Sequence, residues 1–480
     1  MKMPKLKYVQ LAVAVVLFGV AASAGAEMLT IQQYQDLVAK NNSQLISIQA
    51  NIDAVRGKLA EIDRAYSYFL SAGANYSDDR SGRPYSLVTP INDISNFSYN
   101  ASVNKQFETG TIFTVGLNGS YAQYDYGNGY SGYHVNDMAP FIKLQQSLLK
   151  DFNGGTTKAG IAKARADANS ALYLLIYQKQ QIVLNARLAY WNLSYARTVI
   201  EFRRTSLDRT QKILDWNQKR FNLDLAEKSD LLQSQAAVKV GNLNYKLAVE
   251  DEVRASRTFN GLLNVTEEKV KYEVQNFIDA GNQFNKDVDL SRTGNRADVL
   301  SAIENVRSSE YDQIYSQRNI GSDLVFTGQF AFNGVNQDFS TARDYVVTGN
   351  KPSYSLGLVY TLPLDFNLRG TINSGYQSAI MSARKAEESA QIQETNDWLQ
   401  LVDNWNNAKS RYGLATEIKD IQQKRDEENQ RLLKKGRTTT YFVLQGEQDL
   451  DDATLGVLQN ILELMNIYEQ AEAFFNTEKF

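Results

Sequence analysis

The chain contains no cysteine, a single histidine, six prolines and six methionines among 480 residues. Without cysteine there can be no disulfide, no thiol chemistry and no lipid-anchored Cys. His134 stands alone in a Tyr/Gly/Asn loop with no second His or Cys nearby, which favours a solvated loop residue over a metal ligand. Any Ser/His/Asp constellation would have to pass through that one histidine. The methionines are scattered, which argues against a copper relay. Asp78-Asp79 and the run Asp449 to Asp452 read as charged faces, and Gly127-Asn128-Gly129 and Gly154-Gly155 read as turns outside any Rossmann pattern. No catalytic residue, cofactor or metal is expected. The formal net charge of −3 is mild, so no nucleic-acid footprint is present.

Long apolar runs are also missing, with one exception at the start. Lys2, Lys5 and Lys7 precede an apolar run from Leu11 to Val20, and Ala24-Gly25-Ala26 follows as a small-residue cleavage site. Residues 1–26 therefore read as a signal peptide, and the run is shorter than the ~20 residues of a membrane span. Cleavage before Glu27 leaves 48 basic against 54 acidic residues. With no later run of spanning length, a membrane crossing would require a closed β-barrel, because only helices and barrels satisfy every backbone group in lipid.

What the chain does have, it has nearly twice. Residues 220–235 (RFNLDLAEKSDLLQSQ) and 432–447 (LLKKGRTTTYFVLQGE) each lie between two long Ala/Leu/Gln/Glu-rich helical stretches. About seventy residues before each come alternating strands and a short turn, DFNGGTT at 151–157 and FNLRGT at 366–371. Repeat one spans 27–263: a helix over 29–68, strands over 70–148, and a helical hairpin over 157–263 with its tip near 221–229. A polar, aperiodic linker over 264–292 is expected to pack outside the bundle. Repeat two spans 293–480: a helix over 293–318, strands over 322–364, and a hairpin over 371–477 with its tip near 434–441.

The strands alternate strictly. Leu70, Ala72, Ala74 and Tyr76 oppose Ser71, Gly73, Asn75 and Ser77, and Phe97, Tyr99, Ala101 and Val103 oppose Ser98, Asn100, Ser102 and Asn104. The polar face is Ser, Asn, Gly, Thr and Gln rather than charged, and Tyr and Phe crowd the strand ends, which favours a membrane barrel over a soluble β-sandwich. Glu108-Thr109-Gly110 reads as a tight turn, and 78–95, 125–136 and 333–351 as longer loops. Helices of about 65 residues, roughly 100 Å long, must pair along their length as coiled coils, and their apolar seams favour self-association.

These residues resemble the TolC family of outer-membrane efflux proteins over essentially the whole mature chain. Arg220-Phe221-Asn222-Leu223 followed by Ser229-Asp230-Leu231-Leu232 resembles the family's first hairpin tip, with Asp224 at the tip glycine and Glu227 at the Ser/Thr position. Gly436 to Thr440 followed by Val443-Leu444-Gln445 resembles the second tip, which keeps its glycine. Asn295 to Val299 resembles the R-P-D-L that opens the second repeat, with Ala297 for proline. Tyr360 to Leu364 resembles the segment whose proline, here Pro363, swings a strand into a helix. Ser147 stands at that position in the first repeat. Gly154, Gly155 and Gly370 are the accompanying barrel-to-helix turn candidates.

The resemblance implies a membrane α+β fold: a homotrimer whose strands pool into one outer-membrane β-barrel continuous with a long periplasmic α-helical coiled-coil tunnel. It implies an exit duct of a tripartite efflux or type I secretion system in a Gram-negative outer membrane. Its partners would be a periplasmic adaptor, an inner-membrane pump of RND, ABC or MFS type, and outer-membrane lipid, with no nucleic acid. In the family the closed tip is latched by a Tyr and an Arg bonding to the first hairpin, including its motif Asp, here Asp230, and rings of Asp narrow the pore. By alignment on Gly436 the Tyr falls on Leu433, the Arg on Thr438, and the ring acids on Phe442 and Gln445, so those groups are replaced. Arg437 becomes a candidate partner for Asp230 or Asp224. Phe442 is either an apolar constriction or a coiled-coil core residue.

Family members contribute four strands per chain, whereas this sequence suggests four in repeat one and two in repeat two. Three copies would give an 18-stranded barrel, unless 96–124 is a flap outside a 12-stranded wall. The other function classes are a trimeric surface fibre or adhesin with a β-barrel anchor, which helices that turn back disfavour, and a passive porin, for which such helices are superfluous.

Overall fold

Period-two alternation in the first and second halves and unbroken helical runs after each produce the elements of the computed structural model, which describes residues 28–81, 91–126, 131–281, 294–349, 351–364 and 366–475. The expected signal peptide lies outside the described residues. In chain order the elements begin β1 (Met28–Leu29), α1 (Ile31–Asn41), α2 (Ser43–Asp63), β2 (Tyr68–Asp79), β3 (Ile91–Gln106), β4 (Thr111–Tyr126) and β5 (Tyr133–Ser147). There follow α3 (Gly155–Asn222), α4 (Lys228–Leu262), β6 (Glu273–Val274), α5 (Phe277–Gly281), α6 (Ala297–Asn319) and β7 (Asp323–Phe332). The chain continues with β8 (Gly334–Asn336), α7 (Phe339–Thr348), β9 (Pro352–Thr361), α8 (Phe366–Lys434) and α9 (Thr440–Phe474).

Two compact units result. One draws on residues up to Asn41, on Ala186–Lys286 and on Tyr412–Met465, and the other on Asn42–Asn185, Asp287–Arg411 and the chain from Asn466 on. The second unit holds one antiparallel sheet in the order β2-β3-β4-β5-β7-β9, with short β8 also pairing β5. The hairpin 96–124 is therefore no flap: β3 and β4 lie inside the sheet, between β2 and β5. The expected loops are shorter than the Gly/Asn/Asp content suggested, because β2 runs to Asp79, β3 starts at Ile91, β4 runs to Tyr126 and β5 starts at Tyr133. Residues 82–90 and 127–130 lie outside the described residues. The segment 333–351 is not a plain loop, since it carries β8 and α7.

Helical parts of this unit are joined by small and charged residues. Ser170 and Ser301 hydroxyls meet at 2.9 Å between α3 and α6, and Arg165 on α3 pairs with Asp63 of α2 at 2.5 Å. The single helix expected over 29–68 is interrupted at Asn42, whose side chain accepts the Leu45 N–H (3.0 Å) and caps α2.

The first unit closes around aromatic residues. Tyr34 donates to the Phe259 carbonyl (2.9 Å) with the two rings stacked at 3.9 Å, and both are fully buried. Tyr190 donates to the Leu29 carbonyl (2.6 Å) and accepts the Gln275 N–H (3.0 Å), tying in the two-residue parallel pair β1–β6. The polar linker expected over 264–292 is thus partly structured: β6 pairs with β1, and Phe277 of α5 is fully buried edge-on to Tyr195. Residues 282–293 lie outside the described residues.

Candidate functional site

The sheet has two chemically different faces, fixed by alternation and carried across every strand by the register. Leu70 lies opposite Val103, Val103 opposite Val115, Val115 opposite Ile142, Ile142 opposite Phe330, and Phe330 opposite Tyr354. Directly paired residues share a face, so this is one apolar row through all six strands. The next rows add Tyr76, Phe97 and Tyr121 at one end and Leu356, Leu358 and Tyr360 at the other. The apolar side is exposed, with Leu70 75 % and Tyr354 81 % accessible, and the edge strands β2 and β9 are exposed on both faces. Ser102, Gly116, Ser98 and Ser120 of the opposite face are half-buried. Among the described residues both edges are open, for β2 pairs only β3 and β9 only β7. Among the described residues, no helix is long and apolar enough to cross a membrane.

At the strand-to-helix corner, Ser147 ends β5, donating to Asp323 (2.6 Å) and accepting the Asp151 N–H (2.8 Å). Asp151 in turn accepts the Thr156 and Thr157 N–H groups (2.8 and 2.9 Å), satisfying donors at the start of α3. Gly154 has φ +71, and a Cβ there would lie 1.8 Å from the Glu108 carbonyl oxygen, so the tight turn at 108–110 packs on bare backbone. A Cβ on Gly155 would meet the Arg318 guanidinium. Pro363 lies between β9 and α8 as a corner residue. Gly370 does not: it is an ordinary position inside α8 with open space around it.

The two helical tips are the same turn built from different residues. Leu225 N–H bonds the Arg220 carbonyl (2.8 Å) and Asp224 N–H that of Phe221 (3.0 Å). Arg437 N–H bonds the Leu432 carbonyl (2.9 Å) and Gly436 N–H that of Leu433 (3.0 Å). Both are Schellman closures with a left-handed residue, Asp224 at φ 55 and Gly436 at φ 65. Arg220 also donates to the Leu225 carbonyl (2.8 Å) and lies over the Trp216 ring. Because Asp tolerates this conformation less well than Gly, Asp224→Gly is expected to stabilise the unit by about 0.5–1 kcal/mol, and Gly436→Ala to destabilise it by about 1 kcal/mol. Urea unfolding midpoints of the two variants check the opposite signs.

Of the expected gate residues, Leu433 is buried, Thr438 and Asp230 are half-buried, and Arg437, Glu227 and Gln445 are exposed. No ion pair joins Arg437 to Asp230 or Asp224 among the described residues. Phe442 is 56 % exposed, stacked edge-on to Tyr441, so it is not core within one chain. The hairpins are instead joined by polar groups beneath the tips. Thr440 of α9, almost fully buried, donates to Asn217 of α3 (3.1 Å), which donates to Ser234 of α4 (2.5 Å).

Two to three turns further along, a charged joint ties α3, α8 and α9. Arg209 of α3 pairs with Glu447 and Asp451 of α9, each at 2.8 Å. Ser206 donates to Asp451, and Gln430 of α8 donates to both Asp426 (2.8 Å) and Glu447 (2.9 Å). The run Asp449 to Asp452 is thus not simply a charged face, since Asp451 is buried in this joint while Asp449 pairs with Arg425. Burial pulls the Arg209 pKa down, but the hydrogen bond to Glu447 and the surrounding carboxylates more than offset that and hold it above its ordinary value.

Asp426 is 3 % exposed, its Oδ1 has no hydrogen-bond partner, and burial followed by the Glu447 charge pushes it up to about 6. A carboxyl raised from 3.8 binds its proton more tightly when folded. Its contribution is therefore fully present below pH ~4 and lost as pH rises through ~6, a loss of about 2–3 kcal/mol. Asp426→Asn is expected to raise the melting temperature at pH 7 and leave it nearly unchanged at pH 4, which thermal scans at the two pH values check.

The sequence does not single out Arg209, Asp426, Glu447, Asn217 or Ser234, and it shows Thr440 only as the end of the second tip. A signal existed: Thr440, Glu447 and Asp451 fall on the helical stripe that carries Val443, Leu444, Leu458, Ile461 and Met465, so polar residues interrupt a buried seam.

The chain has the fold of the TolC-like outer-membrane channels. At 12 % identity it is similar to the outer membrane protein VceC of Vibrio cholerae, with a TM-score of 0.65 over 92 % of this chain and 95 % of that one. It is similar to a membrane protein of Pseudomonas aeruginosa (12 % identity, TM-score 0.63, 95 % of each chain). A third similar structure is the open state of the MtrE outer membrane channel of Neisseria gonorrhoeae (12 % identity, TM-score 0.61, 98 % of this chain and 97 % of that one). No protein-family profile and no curated protein sequence matches.

Proposed function

We propose that this protein is an outer-membrane exit duct of a Gram-negative cell, a trimer in which β9 of each copy pairs with β2 of the next. The carrying observation is the apolar row that crosses all six strands and ends at two unpaired edges. An exposed sheet with open edges is an aggregation hazard in water, whereas closure removes the edges and lipid covers the face. The polar Ser/Asn/Thr/Gln face then lines an aqueous lumen. β9 runs antiparallel to β2 on closure, because an even number of strands separates them.

Six strands per copy give eighteen in a trimer, not the twelve of the family resemblance. At ~4.8 Å spacing and ~45° tilt the wall is about 39 Å across instead of about 26 Å. The helices α3 and α8, about 100 Å at 1.5 Å per residue, would form the periplasmic tunnel, with the tips meeting an adaptor and an inner-membrane pump of an efflux or type I secretion system. The protein itself carries out no catalysis in this reading. Exposed Phe442 narrows the tip by excluding water rather than by charge.

Planar-bilayer conductance of the purified protein tests this reading. Small, mostly closed conductance that rises in Phe442→Ala is expected. A large, always-open conductance would favour a porin, and none from an inserted oligomer would favour a fibre.

A further inference from the structure

Helix α7 has no part in the duct as described, yet it is built tightly onto the wall. Asp338 caps its start by accepting the Thr341 N–H (2.9 Å), and Gly349 ends it at φ 67. Ala342 is fully buried, and a Cβ on Gly334 would lie 1.9 Å from the Ala342 carbonyl oxygen, so the helix rests directly on the β8 backbone.

The register says which side of the sheet this is. Gly334 pairs with Met138, Met138 with Gly119, Gly119 with Tyr99, and Tyr99 with Ala74, all on the apolar side. Phe332, on the same side as Phe330 by alternation, lies against the end of the helix, where a Cβ on Gly349 would be 3.3 Å from its ring. α7 therefore sits on the apolar face, at the end of β7 away from α6. Its exposed side carries two stripes at i, i+4 and i+8: Ser340, Asp344 and Thr348 opposite Ala342, and beside them Phe339, Arg343 and Val347, with Phe339 51 % and Val347 78 % exposed. Among the described residues Arg343 pairs with the neighbouring Asp344 on the exposed surface, and Lys351 lies over the Tyr345 ring at 4.2 Å.

We propose that α7 is an interfacial helix lying in the headgroup layer of the membrane against anionic, phosphate-bearing lipid, with Phe339 and Val347 entering the acyl margin and Arg343 meeting headgroup phosphates. The proposal rests on the reading of the apolar face as the lipid-facing wall. What favours lipid over a protein partner is continuity: the stripe extends the apolar face beyond its last rows, on the same side.

The absence of native cysteine makes every introduced thiol unique. Nitroxide labels at Val347→Cys and Phe339→Cys in the full-length protein, reconstituted in phosphatidylcholine vesicles with and without phosphatidylglycerol, are compared with Leu356→Cys in the wall and Leu225→Cys at the exposed tip. The expected result is an oxygen-to-nickel-complex collision ratio at 347 and 339 several-fold above that of Leu225→Cys and below that of Leu356→Cys. It should rise with phosphatidylglycerol, and Arg343→Glu should abolish that rise. A ratio equal to the Leu225→Cys value overturns the proposal, as does a label that neither reagent reaches, which would mean a protein covers the stripe. If Leu356→Cys itself reads as water-exposed, the wall reading fails, a different result from failure of α7 alone.

Discussion

Arg209→Met is expected to destabilise the protein by about 3–5 kcal/mol, among the largest effects of any single substitution here. Methionine keeps most of the stem's length but removes the one guanidinium that faces both Glu447 and Asp451 at 2.8 Å. Their side chains are 5 % and 11 % exposed, so Glu447 would be left without its cation and Asp451 with only the more distant Arg203 guanidinium (3.7 Å), in a poorly hydrated joint already holding Asp426. The cost arises mainly from the uncompensated acids rather than from the lost attraction. Adding Glu447→Gln and Asp451→Asn to the variant should therefore recover a large part of the loss, a non-additivity expected of residues in one network. Denaturant unfolding of the single and triple variants measures this. An unchanged midpoint in Arg209→Met, or a triple variant worse than the single, would show that the joint does not hold α3, α8 and α9 together.

Arg296→Met should cost about 3 kcal/mol, somewhat less because its acids retain some water. Arg296 lies just ahead of α6. Its guanidinium holds both oxygens of Asp298 and one of Asp397, each at 2.8 Å, and its backbone N–H donates to buried Glu394 at 2.5 Å. The guanidinium also lies over the Phe474 and Tyr177 rings, at 5.0 and 5.6 Å. Arg296→Lys should rescue little, since an ammonium cannot bind Asp298 through two parallel hydrogen bonds while also reaching Asp397. Full rescue by lysine in a thermal melt would mean that only the charge at this position matters.

How much of this was readable in the sequence depends on the kind of interaction. The strands were legible because alternation at Leu70 to Tyr76 or Phe97 to Val103 is imposed by the pleat and survives any tertiary context. The tips were legible because a left-handed closure restricts its residue: Gly436 announces it outright. Asp224 was found only by its place in the resemblance, and its φ of 55 fits the glycine it replaces. The Arg296 segment was noticed as a motif, but its role as a buried ion anchor depends on Asp397 and Glu394, about a hundred residues away.

The charged joint was not legible for the same reason. Arg209 and Glu447 are 238 residues apart in sequence, and each alone resembles a solvated helix-surface charge. Helix α7 was hidden by its brevity, since ten residues flanked by Asn, Asp and Gly read as a loop. Likewise the interruption at Asn42 was lost among periodic apolar residues on both sides, because an Asn within a helical pattern costs little until its side chain is seen to cap the next helix.

The central claim is that open edges β2 and β9 close between three copies, and disulfide trapping tests it most directly. With no native cysteine, Ala72→Cys combined in turn with Leu356→Cys, Leu358→Cys or Tyr360→Cys places one thiol on each edge, so that the wall register need not be known beforehand. After mild oxidation in membranes, one of the combinations should give covalent dimers and trimers on a denaturing gel, with nothing larger than three chains and no ladder under reducing conditions. Intrachain disulfides alone would mean that each sheet closes on itself. A ladder continuing past three, or no crosslink in any combination, would contradict the trimeric barrel.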